Sequence, residues 1–392
     1  MAVSTARNRH YNDHIQDWRL VHAMLSGELA SSYLQRGSYE PTTAFEKRKA
    51  LADFRPYTRD LVSRLSGRLW TKAGDVTRDV PFDEGWYDSA GSEGESYETV
   101  LMRLTELLLA YDEVWVVLDP RTQRLEVVKP QYVPRWTSRA VIVKSEQSVT
   151  TDVTQMEEVR DVYTIYRPDA FEVVAPSDAG EDVIAAGSYD ADGRFFTDAD
   201  GEPTPPALRF TLPFSTRYGL TVAKAHLSLY RMESRYDAAI GDALRGLLQL
   251  GVGDDEDMAT RIRDAIRDGA IALPYSRELG EHRALSVGTD GLPFAQEALE
   301  RKRRELYRVA SSAEDKAGRQ AQTATEAVLH DLDGSAAMMA VLATTMQSAE
   351  EDILSLVAQS LDARLTQVAD KGVSAEWPTD FSTVVTEQPV TQ

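Results

Sequence analysis

Apolar residues near the start of the chain recur three and four positions apart. Trp18, Val21, Leu25 and Leu29 do so within residues 8–36, which predicts one or two amphipathic helices. Beyond Pro41 and a capping Thr43, the spacing returns at Leu51, Phe54, Leu61, Leu65 and Leu69. These predict a helix from about Ala44 to Leu69, with the five side chains on its buried face and a bend at Pro56. Residues 74–95 are rich in Gly and Asp and read as loop. Ser96 then reads as the N-cap of a helix over 97–110.

The period changes after residue 114. The runs EVWVVLDP and RLEVVKPQYVPRW form a hairpin pattern around Pro120-Arg121-Thr122-Gln123. AVIVKS, VRDVYTIYRP, AFEVVA and short runs around SYDADGRFFTDADGE continue it, so 114–212 is expected to be β-rich. Helical spacing resumes through Leu229, Met232, Tyr236, Ile240, Ala243 and Leu247, predicting a helix from Gly219 to about Gly251. A small mixed segment, 252–288, holds an acidic-to-basic helix, DEDMATRIRDAIRD, and the apolar run AIALP. A second long helix is expected over 293–313, and a third from about Thr323 to Leu365. SAEWPTDF should add one short strand before a disordered end. Helices and strands are segregated along the chain, which is the α+β class.

Composition narrows the functions. The chain has 392 residues, 42% hydrophobic and 27% charged, enough for a packed core. Its net charge of -20 and pI near 4.8 argue against a generic nucleic-acid binder and against a polybasic membrane anchor. The most apolar window, Leu101 to Leu118, is interrupted by Arg103, Glu106, Asp112 and Glu113, short of the roughly 18 residues of a membrane span. MAVSTARNRHYNDHIQDW lacks the apolar core of a signal peptide. A soluble protein is expected. The absence of cysteine excludes disulfides, zinc–thiolate sites and cysteine nucleophiles.

No phosphate-binding loop, dinucleotide fingerprint or nucleophile elbow is present. His10 and His14 can share a helix face but lack an evident third metal ligand. DADGRFFTDADG fails as a calcium loop: with Gly193 sixth, Ser188 and Ala199 occupy the first and twelfth places. It reads as an acidic hairpin tip. No catalytic residue, metal or cofactor is therefore expected. Carboxylate sites leave little trace in sequence, so a carboxylate-based hydrolase stands as an alternative.

Positive charge collects in three places. Lys316 and Arg319 flank Gly318 in a loop that also holds Gln320 and Gln322. Arg301, Lys302, Arg303, Arg304 and Arg308 surround one helix. Arg261, Arg263 and Arg267 follow the acids of the 254–257 run. Lys47, Arg48, Lys49, Arg59, Arg64 and Arg68 are dispersed and read as a solvated or partner-facing side.

Several stretches, in order, resemble portal proteins of tailed bacteriophages. They are FEKRKALADFRPYTRDLVSRLSGRLWTK, LEVVKPQYVPRW with VRDVYTIYRPDAFEVV, QTATEAVLHDLDGSAAMMAVLATTMQSAEEDILSLV, and AEWPTDF. The resemblance implies an outer wing over 1–216 and a first stem helix over 217–250. A clip would follow over 251–290, then a second stem helix over 291–313 and a tunnel loop over 314–323. A long wing helix over 324–366, kinked at Gly334, would lead to a short C-terminal strand and tail over 367–392. The crown found in many portals would be reduced or absent.

It further implies a ring of about twelve copies, closed by symmetry, around a channel for double-stranded DNA. The virion would hold the ring at the capsid's portal vertex, after assembly in the host cytoplasm, with no membrane partner. The major capsid protein, the terminase large subunit and then the head–tail adaptor would be its protein partners. Lys316, Arg319, Gln320 and Gln322 would touch the DNA backbone without reading sequence. Arg301, Lys302, Arg303, Arg304 and Arg308 would either pair with acids such as Glu297, Glu300, Glu305, Asp237 and Asp242 between subunits or meet DNA. Arg261, Arg263 and Arg267 would dock clip partners. The nearest alternative is another virion component, an adaptor or a minor capsid protein.

Overall fold

A computed structural model of the chain describes residues 6–38, 40–149, 158–177, 180–189, 196–198, 200–213, 217–245, 247–252, 257, 260, 264, 272–276, 283–285, 292–311, 324–361 and 373–378. Helix α1 (Arg9–Ser26) buries Trp18, Val21 and Met24. Leu29, the last member of the expected stripe, is 78% exposed. It sits in the left-handed region, with φ 57, ahead of a 3-10 turn over Ala30–Tyr33.

The single helix expected over 44–69 is instead two, α2 (Thr42–Leu51) and α3 (Tyr57–Trp70). Pro56 lacks an amide hydrogen and bars helical geometry at the residue before it, so the break is complete rather than a bend. The common buried face is lost with it. Leu61, Leu65 and Leu69 are buried, but Leu51 is 70% exposed. Arg48 also departs from the solvated reading. It is buried and forks onto both carboxylate oxygens of Glu40, at 2.7 and 2.9 Å, while reaching Ser234 Oγ at 2.8 Å. The hydrogen bonding from Arg48 holds the Glu40 carboxyl below its usual range.

The 74–95 loop contains a three-residue strand, β1 (Thr77–Asp79), and a 3-10 turn over Glu84–Ser89. Ser96 caps α4 (Tyr97–Tyr111) as expected, its hydroxyl accepting from the Thr99 amide. The hairpin also forms, as β2 (Glu113–Asp119) and β3 (Arg124–Val128). Then come β4 (Arg135–Thr137), β5 (Ala140–Val149), β6 (Glu158–Tyr166), β7 (Ala170–Ser177), β8 (Gly180–Ser188) and β9 (Ala207–Thr211). They form an antiparallel sheet β3-β2-β9 and an antiparallel meander β4-β5-β6-β7-β8. The two sheets share a core of Trp115, Val117 and Val128 from the first and Val141, Val143 and Phe171 from the second.

Helix α5 (Tyr218–Arg245) stops short of the expected Gly251. The chain turns instead into β10 (Leu247–Val252), the centre of a mixed sheet β11-β10-β12 with β11 (Ala272–Ser276) and β12 (Arg283–Leu285). LLQLGV is apolar enough for either state. Pairing on both edges satisfies its backbone in the sheet, and this tertiary gain overrides helical spacing. Helix α6 (Leu292–Ser311), helix α7 (Ala324–Leu361) and strand β13 (Ser374–Glu376) match the remaining expectations closely. Helix α7 runs through Gly334. The chain is thus a mixed α and β protein, compatible with the α+β class.

It packs as two units. The larger comprises Met1–Val21, Asp60–Thr221 and Ser311–Gln392; the smaller comprises His22–Arg59 and Val222–Ala310. In the larger unit α4 and α7 both lie on β2, burying Leu101, Leu104 and Leu108 from one and Leu342, Met346 and Ile353 from the other. Strand β13 pairs with β1. Gly219 opens α5 against the end of α4. A Cβ there would lie 1.8 Å from the Ala110 carbonyl oxygen, so only glycine fits.

Candidate functional site

In the smaller unit, Leu299 and Leu306 are seven residues apart and anchor one side of α6 in the core. The opposite side presents Phe294, Glu297, Arg301, Arg304 and Arg308, spaced three and four apart and all exposed. Arg303 turns away from this stripe. It donates to Glu233 Oε1 at 2.8 Å and to Glu300 Oε1 at 2.7 Å. Glu233 is buried and also accepts from the Tyr57 hydroxyl at 3.3 Å. The Glu233 hydrogen bond raises the Arg303 pKa, so the guanidinium keeps its charge. Lys302 is paired with Glu305 at 2.8 Å. A cavity of about 180 Å³ lies beside these groups, lined by Asp53, Arg55, Glu233, Asp237 and Arg303.

The sequence cluster is therefore split by the fold. Lys302 and Arg303 make ion pairs within the chain, including one with Glu233 that sequence spacing did not suggest. Arg301 and Arg304 project from an open helix face, where they can meet phosphate or a carboxylate of another molecule.

A second polar group lies in the larger unit, around a cavity of about 190 Å³. His10 and His14 share a face of α1, as expected, with rings stacked at 4.2 Å. His10 Nε2 is 2.7 Å from Glu113 Oε2. Arg209 forks onto both Glu113 oxygens, at 2.9 and 2.8 Å, and lies over the Trp136 ring. Arg217 joins His14 Nε2 at 2.8 Å and Asp17 Oδ2 at 3.1 Å. Asp112 closes the group at the head of α5, where the Tyr218 amide donates to its carboxyl. Burial pushes its pKa up to about 7, against the opposing charge of Arg217. The third group missing from the histidine pair at sequence level is Glu113, about a hundred residues away. No local pattern announces it. Even so, no cluster of three metal-binding side chains occurs among the described residues.

The other anticipated residues were Lys316, Arg319, Gln320 and Gln322 in the loop, and Arg261, Arg263 and Arg267 after β10. All lie outside the described residues. Of the helix expected there, Asp257, Thr260 and Asp264 are described; all are helical and exposed. Among the described residues no helix is long and apolar enough to cross a membrane.

No protein-family model matches the chain, and no curated protein matches it.

Proposed function

We propose that the chain is the subunit of a tailed-phage portal, a ring of about twelve copies closed by rotational symmetry. The ring conducts double-stranded DNA at the capsid vertex during packaging and ejection. It docks the terminase large subunit and later the head–tail adaptor, and works without a catalytic centre or cofactor. The observation that carries this reading is an order of elements. A 28-residue helix leads into a small mixed sheet, a 20-residue helix leads out of it, and a 38-residue helix follows. A β-rich segment precedes the whole series.

The charge balance supports the same reading. DNA affinity grows with each phosphate a protein neutralises. A subunit at -20 repeated around a channel repels DNA over most of its surface. Lys316 and Arg319, with Gln320 and Gln322, then form sparse, sequence-independent contacts, and Arg301, Arg304 and Arg308 are either further contacts or links to neighbouring subunits. Arg261, Arg263 and Arg267 serve as the docking surface of the clip. Native mass spectrometry and projection imaging of the purified protein test the ring directly. A particle with about twelve-fold symmetry supports it. A monomer at all concentrations and ionic strengths overturns it and favours the adaptor or minor-capsid alternative.

A further inference from the structure

The cavity between α5 and α6 in the smaller unit carries more negative than positive charge. Asp53, Glu233, Asp237 and Glu300 line it against Arg55 and Arg303. Both arginines are engaged within the chain. Arg303 holds Glu233 at 2.8 Å and Glu300 at 2.7 Å, and Arg55 lies 3.6 Å from Asp53.

Glu233 uses only one of its oxygens. Oε1 accepts from Arg303 Nη2 at 2.8 Å, from Arg303 Nε at 3.3 Å and from the Tyr57 hydroxyl at 3.3 Å, with Arg55 Nη1 4.0 Å away. Oε2 has no hydrogen-bond partner among the described residues, although the side chain is only 9% exposed. A buried carboxylate oxygen calls for a donor. Asp237 stands four residues further along α5, so the two side chains share a face, with Cβ atoms about 6 Å apart. It is exposed and makes no hydrogen bond or ion pair among the described residues. Two acceptors set side by side suit the planar fork of a guanidinium.

Arg301 stands on the far side of α6. It is two residues from Arg303 and therefore about 160° away around the helix, so it cannot turn into its own cavity. It is exposed and makes no hydrogen bond or ion pair among the described residues. Phe294, on the same face, is 74% exposed. Exposed arginine beside an exposed aromatic ring is the composition of a protein contact. Glu297 lies between them on that face and would repel a phosphate backbone. Helix α6 thus presents an unpaired guanidinium on one side and an acidic socket on the other. One copy cannot join the two. A second copy can, and further copies add in the same sense. Such a head-to-tail contact closes into a ring or runs on as a filament.

We propose that Arg301 of one copy enters this cavity in the next, where its guanidinium forks onto Glu233 Oε2 and the Asp237 carboxylate. This contact rests on the ring reading and deepens it: it names what joins neighbouring subunits and assigns Arg301 to protein rather than to DNA. Close charge pairs across an interface couple strongly, so reversing either partner should decide assembly.

Native mass spectrometry of full-length variants tests it. Arg301→Glu sets an acid against the acidic socket, and Asp237→Arg sets a base against Arg301. Each alone should raise the protein concentration needed for half-assembly by about tenfold or more. The two together in one chain should restore rings, because every junction again pairs opposite charges. Circular dichroism and melting should match the wild type, since neither residue holds an ion pair within the chain. Should a reversal unfold the protein, Arg301→Gln and Asp237→Asn take its place. Each should weaken assembly, and both together no more than either alone. Wild-type rings that persist unchanged in both single reversals overturn the contact and leave the ring reading standing. So do rings lost in the singles and not recovered in the double variant, or Arg301→Glu rings that assemble normally but package less DNA. A wild-type chain that stays monomeric at every concentration and ionic strength overturns the ring reading, and this contact with it.

Discussion

Arg78 Nε lies 2.6 Å from Glu350 Oε1, joining residues 272 positions apart. Glu350 is fully buried in the middle of α7, and its other oxygen accepts from the Trp377 indole at 2.6 Å. One carboxylate therefore fastens β1 and the segment after β13 to the longest helix. Burial by itself would lower the Arg78 pKa. The Glu350 charge and hydrogen bond outweigh that, and the net shift is upward.

Removing Glu350 should leave a partly buried guanidinium and a buried indole N–H without their acceptor. Glu350→Ala is expected to destabilise the protein by about 3 kcal/mol, the cost of breaking a buried pair from one side. Urea unfolding followed by tryptophan fluorescence measures it. Glu350→Gln keeps the shape and one acceptor, so it should lose less.

Gly219→Ala tests how closely α5 abuts α4. The added methyl would meet the Ala110 carbonyl oxygen, which belongs to backbone and cannot swing aside. A loss of about 3 kcal/mol is expected, seen as a lower melting temperature. Gly67 and Gly241 have open space at the Cβ position and serve as controls; both should tolerate alanine.

His226 makes stability depend on pH. It is buried in the smaller unit, with Nδ1 2.8 Å from Thr58 Oγ1 and its ring against Phe54 and Tyr57. Burial lowers its pKa to about 4, with the backbone of Arg55 and Met24 opposing. The unfolded chain therefore takes up a proton near pH 6.5 that the folded chain refuses until about 4. Its contribution is complete above pH 6.5, declines as pH falls and is gone below about 4, a swing of about 3 kcal/mol. Chemical denaturation at several pH values should show the decline, and His226→Phe should flatten it.

The split of the basic helix distinguishes two roles. Arg303→Ala breaks an in-chain pair and should cost about 1–2 kcal/mol, discounted because Arg303 is partly exposed. Arg301→Glu with Arg304→Glu should leave folding unchanged. Under the portal reading, loss of rings by this double variant assigns the arginines to subunit pairing. Intact rings that package less DNA assign them to the channel. Native mass spectrometry and a packaging assay separate the outcomes.

Under the portal reading, Lys316→Glu with Arg319→Glu probes the expected tunnel loop. Rings should assemble normally, while DNA packaging or retention falls. Failure of the rings to form would make these residues structural instead.

The sequence alone determined those elements whose signal is local. Ser96 capping α4, the β2–β3 hairpin, and helices α6 and α7 all follow from periodicity, caps and turns within a few residues of one another. So does the shared face of His10 and His14, which helical spacing fixes. Tertiary structure decided what depends on distant partners. LLQLGV became a strand because two other strands pair with it. Arg48 entered the core because Glu40 and Ser234 were there to receive it, and Leu51 left the core because the helix broke at Pro56. The histidine group needed Glu113, Arg209 and Arg217, and the buried carboxylate of Glu350 needed Arg78 and Trp377. A buried charge is stable only with its partner in place. Such partners come from anywhere along the chain, and only folding brings them together.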